Sequence, residues 1–461
     1  MILRRDVLQL SGMAAVSAAL PAAAQNLATP DYRLEIAPFT LELSPRHRLK
    51  TVAYNGQVPG PLLRFKEGRP ITIEVTNHNE RAEVVHWHGL FTPVDADGSI
   101  EEGTAPIAPN ATARYTFMPR PSGFRWYHTH TMAMGDLTRG QYGGQHGFLM
   151  IEARDEPGRY DQEFFLALHD WGGYMLASDD GSMNPSYNFA TINGKIIGSG
   201  EPLRVKQGQR VLLHVLNSSP SEAHWISFAG HELRVIALDG NPAPSTQAVP
   251  MLRLAPAERV CALVVMNNPG VWILGEVRKH VQAAGMGVIV EYANQRGPPR
   301  WQQPTDLVWN YEQFAAAAPI AEPTEAPINI PLAFESKFQG HGSMETWMIN
   351  GKSYPDTGTD SLRQGQRYRL QFINKSMDDH PVHLHRHSFE LRSLGAPLKG
   401  ASNSASKSVK IVRGIIKDVL LVDSQTQAEV EFTADNPGAS LFHCHQQNHM
   451  DFGFMMLFQY A

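Results

Sequence analysis

Short runs rich in valine, isoleucine and leucine, with apolar and polar positions alternating, recur along the chain between turns that contain glycine or proline. A period of two marks a strand with one buried face, and long patterns with a helical period are scarce. The pattern predicts an all-β protein built from sandwiches. Two apolar stretches differ. The run Val260-Cys261-Ala262-Leu263-Val264 does not alternate, which makes Cys261 an expected buried thiol. At the N-terminus, Arg4-Arg5 precede an apolar stretch through Leu20 and then Ala22-Ala23-Ala24, the layout of a signal peptide over 1–24. The paired arginines point to twin-arginine export, with an ordinary secretory signal as the alternative. No later stretch is apolar enough to span a bilayer, so the mature protein is expected to be soluble and periplasmic, with no membrane association after cleavage.

The alternating runs belong to a repeat. Asn-Gly pairs stand at Asn55-Gly56, Asn193-Gly194 and Asn350-Gly351. Each is followed by a glycine (Gly68, Gly208, Gly365) and, nine residues on, an asparagine (Asn77, Asn217, Asn374). Each unit closes on a turn, Pro121-Ser122-Gly123, Asn268-Pro269-Gly270 or Asn436-Pro437-Gly438, leading into a hydrophobic strand. The reading is of three similar domains after the leader: 25–155, 156–296 and 328–461, with a Pro/Gln/Ala-rich linker over 297–327. The length of 461 residues accommodates three such units. A formal charge of -5 and a pI near 6.5 give no electrostatic case for nucleic acid or anionic membrane as a partner.

Superposing the units shows where chemistry was kept. Nine residues after the asparagine, the first unit has His86-Trp87-His88, the third His383-Leu384-His385, and the second Ile226-Ser227-Phe228. Five residues after the turn glycine, the first has His128-Thr129-His130, the third His443-Cys444-His445, and the second Gly275-Glu276-Val277. The middle unit carries no histidine at these positions. A lone His-x-His is as readily two solvated imidazoles on an exposed strand. Four pairs at matching positions are not, and eight imidazoles suit a cluster of three metal ions lying between the first and third units.

Alternation also puts His443 and His445 on one face of a strand and Cys444 on the other, so one strand can serve two sites. A thiolate with imidazoles is the ligand set of a blue copper centre, and only the third unit has the cysteine, with His380 and His449 beside it. Cys261 and Cys444 are the only two cysteines; a disulfide between them is the bland alternative in an exported protein.

The four motifs, HWHG from His86, WYHTH from Trp126, HPVHLHRH from His380 and HCHQQNH from His443, resemble those of the three-domain multicopper oxidases, the family of laccases, bilirubin oxidases and bacterial copper oxidases. The resemblance covers essentially the whole mature chain. It implies three consecutive cupredoxin-like Greek-key β-sandwich domains and four copper ions. His380, Cys444 and His449 would hold a type-1 copper, and His86 and His383 the type-2 copper. The type-3 pair would fall to His88, His128, His130, His385, His443 and His445. It further implies one-electron oxidation of a small reductant at the type-1 site, electron transfer through Cys444, and reduction of O2 to water. Asp97, eleven residues after His86, matches the family's carboxylate near the type-2 copper and is expected in a proton relay. The competing reading is a plain Asp-Gly turn.

Departures from the family pattern carry their own expectations. Ten residues after the cysteine, where the family places an axial ligand, stands Phe454, followed by Met455 on the opposite face. Phenylalanine offers no donor, which favours Cu(I) and a fairly high potential. Arg386 replaces a common glycine, Ala105 stands where many laccases have a disulfide cysteine, and neither is expected to touch a ligand. His146, His169, His214, His224, His231, His280, His341 and His387 lie outside the matched positions and are expected to be hydrogen-bonded or solvated. The leading expectation is a laccase-like oxidase of phenols and aromatic amines, acting as a monomer. An oxidase of Cu(I), Fe(II) or Mn(II) in copper tolerance is the alternative, disfavoured by the lack of a methionine-rich insert. Copper-free cell-division proteins of the same fold would have lost ligands, and a copper nitrite reductase would lack the four-pair cluster. The polar loop 399–408 is read as a solvated surface loop that can border a substrate pocket.

Overall fold

The computed structural model describes residues 29–153, 159–179, 181–228, 230–318, 324–398 and 410–461. The expected leader 1–24, the boundary at 155/156 and the loop 399–408 lie outside these residues. Strands fall into three consecutive pairs of sheets, cupredoxin-like sandwiches in the order the repeat predicts.

Repeated residues do repeated work. In each Asn-Gly pair both residues have positive φ (Asn55 51°, Gly56 63°; Asn193 54°, Gly194 70°; Asn350 53°, Gly351 75°), the two-residue turn that matches strand twist. Each asparagine side chain also bonds back to the unit's first strand. Asn55 Oδ1 accepts from Glu35 N at 2.7 Å, Asn193 Oδ1 from Ala167 N at 2.7 Å and Asn350 Oδ1 from Ala333 N at 2.8 Å. The asparagine nine residues beyond the glycine is fully buried in all three units. Its Nδ2 staples two carbonyls: Arg81 and Ile107 from Asn77, Glu222 and Leu254 from Asn217, Asp378 and Val422 from Asn374. That staple anchors the start of the strand carrying the first His-x-His, which is why the spacing to it is constant.

Strand register then brings the two motifs of a unit together. The strand after the closing turn (Gly123–Thr129, Val271–Glu276, Ala439–Cys444) pairs antiparallel with the strand after the buried asparagine (Val85–His86, His224–Ser227, His380–Leu384). His86 faces His128 and His383 faces His443, whereas the middle unit pairs Ser227 with Gly275.

The segment expected as a linker is partly core. Phe314, in the turn Tyr311–Phe314, is fully buried in an apolar cluster that runs unbroken from the second unit into the third. Three aromatics in that Pro/Gln/Ala-rich stretch, Trp309, Tyr311 and Phe314, supply the apolar area that docks it.

Candidate metal centre

All eleven expected ligands are between 0% and 2% exposed, so the reading of solvated imidazoles on an open strand fails. The structure sorts eight histidines at the seam of the first and third units into overlapping groups: His86, His88 and His383; His88, His128 and His445; His130, His385 and His443. Ring stacking joins the two units, His86 on His385 at 4.0 Å and His88 on His383 at 3.8 Å between centroids.

Second nitrogens decide what the rings can do. A carbonyl only accepts, so a ring nitrogen bonded to one must carry the proton. His86 Nδ1 donates to Asp97 O (2.9 Å), His128 Nδ1 to Thr129 O (2.8 Å) and His383 Nδ1 to Asp418 O (2.7 Å). The Nε2 of each is buried without a partner. His88 is turned the other way: Nε2 meets Asp418 Oδ1 at 3.1 Å and Nδ1 is bare. His385 Nδ1 meets Asp97 Oδ2 at 2.8 Å and His443 Nδ1 donates to Cys444 O at 2.9 Å. Their two Nε2 lone pairs therefore face each other at 3.0 Å, with His130 Nε2 at 3.4 Å from His443. Converging bare lone pairs repel unless a cation lies among them, so these residues fit metal ions. Burial holds His88, His128, His383, His385, His443 and His445 well below the usual histidine range, and His130 at about 3, which keeps the rings in the neutral, ligating form.

Cys444 points away from this cluster, as alternation predicts. Its Sγ lies 3.6 Å from His380 Nδ1 and 3.5 Å from His449 Nδ1, and the two nitrogens are 3.1 Å apart. One sulfur and two imidazole nitrogens thus form a compact triangle. Ser376 Oγ bonds His380 Nε2 at 2.7 Å and leaves Nδ1 for the triangle. The Phe454 ring is buried 4.7 Å from the His380 ring, while Met455 packs in a separate cluster with Leu441 and Met450. The two cysteines are free. Cys261 lies across the strand pair from His214, whose Nδ1 is 3.2 Å from its sulfur.

Asp97 is fully buried rather than a surface turn. Its Oδ2 meets His385 Nδ1 at 2.8 Å and His86 Nδ1 at 3.2 Å, and Oδ1 accepts from Thr92 Oγ1 at 2.6 Å. Burial opposes ionisation, but His86 and His385 outweigh it and hold this carboxyl well below its usual range. Glu102, not identified from the sequence, lies beside it, with Oε1 accepting from Leu441 N at 2.5 Å and 3.5 Å from His385 Nδ1. Burial, then the charge of Asp97, pushes Glu102 well up, so it is the protonated member of the pair. Asp418, also missed, holds His88 and His383; its signal was a Lys-Asp pair inside the apolar run 415–422.

Arg386 has φ 63°, the left-handed conformation that explains why glycine is common there in the resembled family. Its guanidinium goes to carbonyls: Thr92 at 3.0 Å, Pro437 at 2.6 Å and Ala439 at 2.5 Å. It therefore ties the Asp97 loop to the strand entering His443. Arg386→Gly relieves roughly 1 kcal/mol of backbone strain. It also removes charge-assisted bonds worth about 1.5–3 kcal/mol each. The three lost bonds outweigh the relieved strain, and a net destabilisation of at least about 3 kcal/mol is expected in denaturant unfolding.

The remaining histidines that the structure pairs each have a protein neighbour, although the Nε2 atoms of His146 and His169 are buried without a hydrogen-bond partner. His224 lies between Asp170 (2.8 Å) and Glu276 (3.2 Å), His169 bonds Ser218 O at 2.7 Å, His214 meets Glu163 at 3.1 Å, His231 meets Tyr292 Oη at 2.5 Å and His387 meets Tyr460 Oη at 2.7 Å. His146 stacks on His169 at 4.6 Å.

Comparison with known proteins follows the same division of the chain. Family models described as multicopper oxidase match residues 37–156, 164–292 and 328–461. Multicopper oxidase MmcO of Mycobacterium tuberculosis is 29% identical over 445 residues, covering 87% of this chain and 81% of its own. Laccase-15 of Oryza sativa subsp. japonica is 23% identical over 541 residues, covering 90% and 89%. Among solved structures, a multi-copper oxidase from Pseudomonas thermotolerans aligns with a TM-score of 0.71 at 25% identity, covering 93% of this chain and 98% of its own. Fet3p, a multicopper oxidase that functions in iron import, aligns with a TM-score of 0.77 at 20% identity, covering 93% and 90%.

Proposed function

Because the chain belongs to the multicopper oxidase family, we propose that it is laccase-like, coupling one-electron oxidation of small phenols and aromatic amines to the reduction of O2 to water. Four coppers, when bound, would supply the one-electron steps and the binding of O2. His380, Cys444 and His449 would hold the type-1 ion, and His86 and His383 the type-2 ion. His88, His128 and His445 would hold one type-3 ion, and His130, His385 and His443 the other. The observation that carries this reading is the placement of Cys444: its sulfur belongs to one site while the residues on either side of it, His443 and His445, belong to the other. Asp97 would orient His86 and His385 and, with Glu102, form the buried carboxyl pair that relays the protons O2 reduction consumes. Export to the periplasm and a monomeric state complete the reading.

A second reading, oxidation of a metal ion, is favoured by a cleft of about 310 Å3 where Met377, Asp378, Asp379, Pro381 and Gln446 of the third unit face Ser221 of the second. It lies beside the strand that begins at His380, and its thioether and carboxylates suit a cation better than a phenol. Oxygen uptake by copper-loaded protein, measured against a phenol panel and against Cu(I), Fe(II) and Mn(II), separates the two. A kcat/KM for a metal ion far above that for every phenol overturns the laccase-like reading.

Phe454, whose ring lies 4.7 Å from that of His380, is proposed to stand beside the type-1 ion that His380, Cys444 and His449 would hold. Phe454→Met would supply a thioether and lower the potential, by about 59 mV for each tenfold gain in preference for the oxidised ion. Redox titration of the blue absorption measures this, and an unchanged potential would return Met455 as the axial candidate.

A further inference from the structure

The middle unit has no ligand, yet it supplies buried charges that reach the cluster. Arg259 and Asp239 of that unit are fully buried. Arg259 forks onto Asp418 of the third unit, Nη1 to Oδ1 at 2.5 Å and Nη2 to Oδ2 at 2.6 Å. Asp239 Oδ2 accepts from the backbone N–H of Asp418 (3.4 Å) and Val419 (3.2 Å) and pairs with Lys417 Nζ at 2.9 Å. Arg125 of the first unit approaches the same Asp418 carboxylate at 3.4 Å, and Lys417 also pairs with Glu258 at 3.0 Å. Three cations and three anions, one group from each sign at least touching another unit, are thereby closed off from water.

Asp418 faces the metal centre with both of its acceptors. Its carboxylate takes His88 Nε2 and its carbonyl takes His383 Nδ1, and these two rings stack at 14°. A second observation shows how closely the fork is fitted. A Cβ on Gly89, the residue after His88, would stand 2.7 Å from Asp418 Oδ2 and 2.8 Å from Arg259 Nη2. The glycine of the HWHG motif is thus required by the fork as well as by its φ of 80°. Burying such a network is a poor route to stability, since well-packed apolar residues commonly do as well or better. What an apolar replacement does not do is fix the tautomer and direction of a ligating ring.

We propose that Arg259 and Asp239 are positioning residues for His88 and His383, acting through Asp418, so that the ligand-free unit sets the geometry of the metal cluster. The proposal rests on the copper reading above. Outer-shell partners of this kind are typically worth about 10- to 100-fold in metal affinity.

The test uses full-length, copper-loaded Arg259→Gln and Arg259→Lys. Their readouts are copper retained against a competing chelator, the EPR signal of type-2 copper, the blue absorption and the apo-protein melting curve. Both variants are expected to keep the blue absorption, because Arg259 makes no contact with the Cys444 triangle. Arg259→Gln is expected to yield cluster copper about 10–100 times more readily, with altered type-2 EPR parameters. Arg259→Lys, which keeps the charge but not the fork, is expected to fall between it and the wild type. A folded Arg259→Gln with wild-type copper retention and EPR overturns the proposal. If the glutamine variant does not fold, the lysine variant decides on the same readouts. If neither folds, Arg259 is a determinant of the fold and the proposal is likewise overturned. A wild-type chain that takes up no copper removes the underlying reading instead, and needs no variant to be seen.

Discussion

Cys444→Ser yields a folded chain with no blue absorption and turnover below about one-hundredth of wild type, a larger loss than removal of an outer-shell partner. The fold survives because the hydroxyl replaces a thiol of similar size in a fully buried position. A buried hydroxyl needs an acceptor, and the Nδ1 atoms of His380 and His449, 3.6 and 3.5 Å from the native sulfur, offer two. The colour is lost because it requires a thiolate as a soft ligand, and a serine hydroxyl neither ionises at neutral pH nor provides one. In the native chain burial pushes the Cys444 thiol up, so copper uptake there must also release a proton. The eight-histidine cluster is untouched by the change. His443 and His445 keep their places, since the backbone carbonyl of residue 444, not its side chain, receives the His443 Nδ1 proton. Type-2 EPR should therefore persist while absorption near the blue band vanishes. A serine variant that stays blue, or that turns over reductant at the wild-type rate, would move the electron-accepting site away from Cys444.

Such a forecast depends on how much of the molecule can be read from residue spacing. The proposed cluster ligands stand out in the sequence because their strands are held by nearby, repeated chemistry. Asn77 and Asn374 staple the start of their strands, and register alone then sets His86 opposite His128 and His383 opposite His443. The groups that orient the ligands could not be found in the same way. His88 and Asp418 are 330 residues apart, Arg259 and Asp418 159 apart, and no repeat links them. Glu102 looks like one of two solvated glutamates until the third unit covers it and Leu441 donates to it. The docking of the segment 297–327 shows the same limit: its composition suggests a tether, and only the packed neighbours give Phe314 a core to enter.

The same distinction between ligand and orienting group makes Asp97→Ala the most informative change at the cluster. Single-turnover reoxidation by O2 is expected to slow by about 10²–10⁴-fold, the range typical of losing a positioned proton-transfer group. The blue absorption should be unaffected, because Asp97 contacts His86, His385 and Thr92 and none of the Cys444 triangle. His86 loses its 3.2 Å contact with the carboxylate but keeps its shorter bond. Its Nδ1 donates to the backbone carbonyl of residue 97, which alanine retains. His385 loses its 2.8 Å carboxylate partner and has only Glu102, at 3.5 Å, to turn to. A fall in copper retention would therefore confuse loss of positioning with loss of proton supply, and Asp97→Asn separates them. Its amide oxygen can still accept from His385 but cannot carry a proton. If asparagine restores copper content and type-2 EPR while O2 reduction stays slow, Asp97 relays protons. If asparagine restores both, Asp97 acts only by holding His385, and unchanged reoxidation in the alanine variant would remove it from the mechanism altogether.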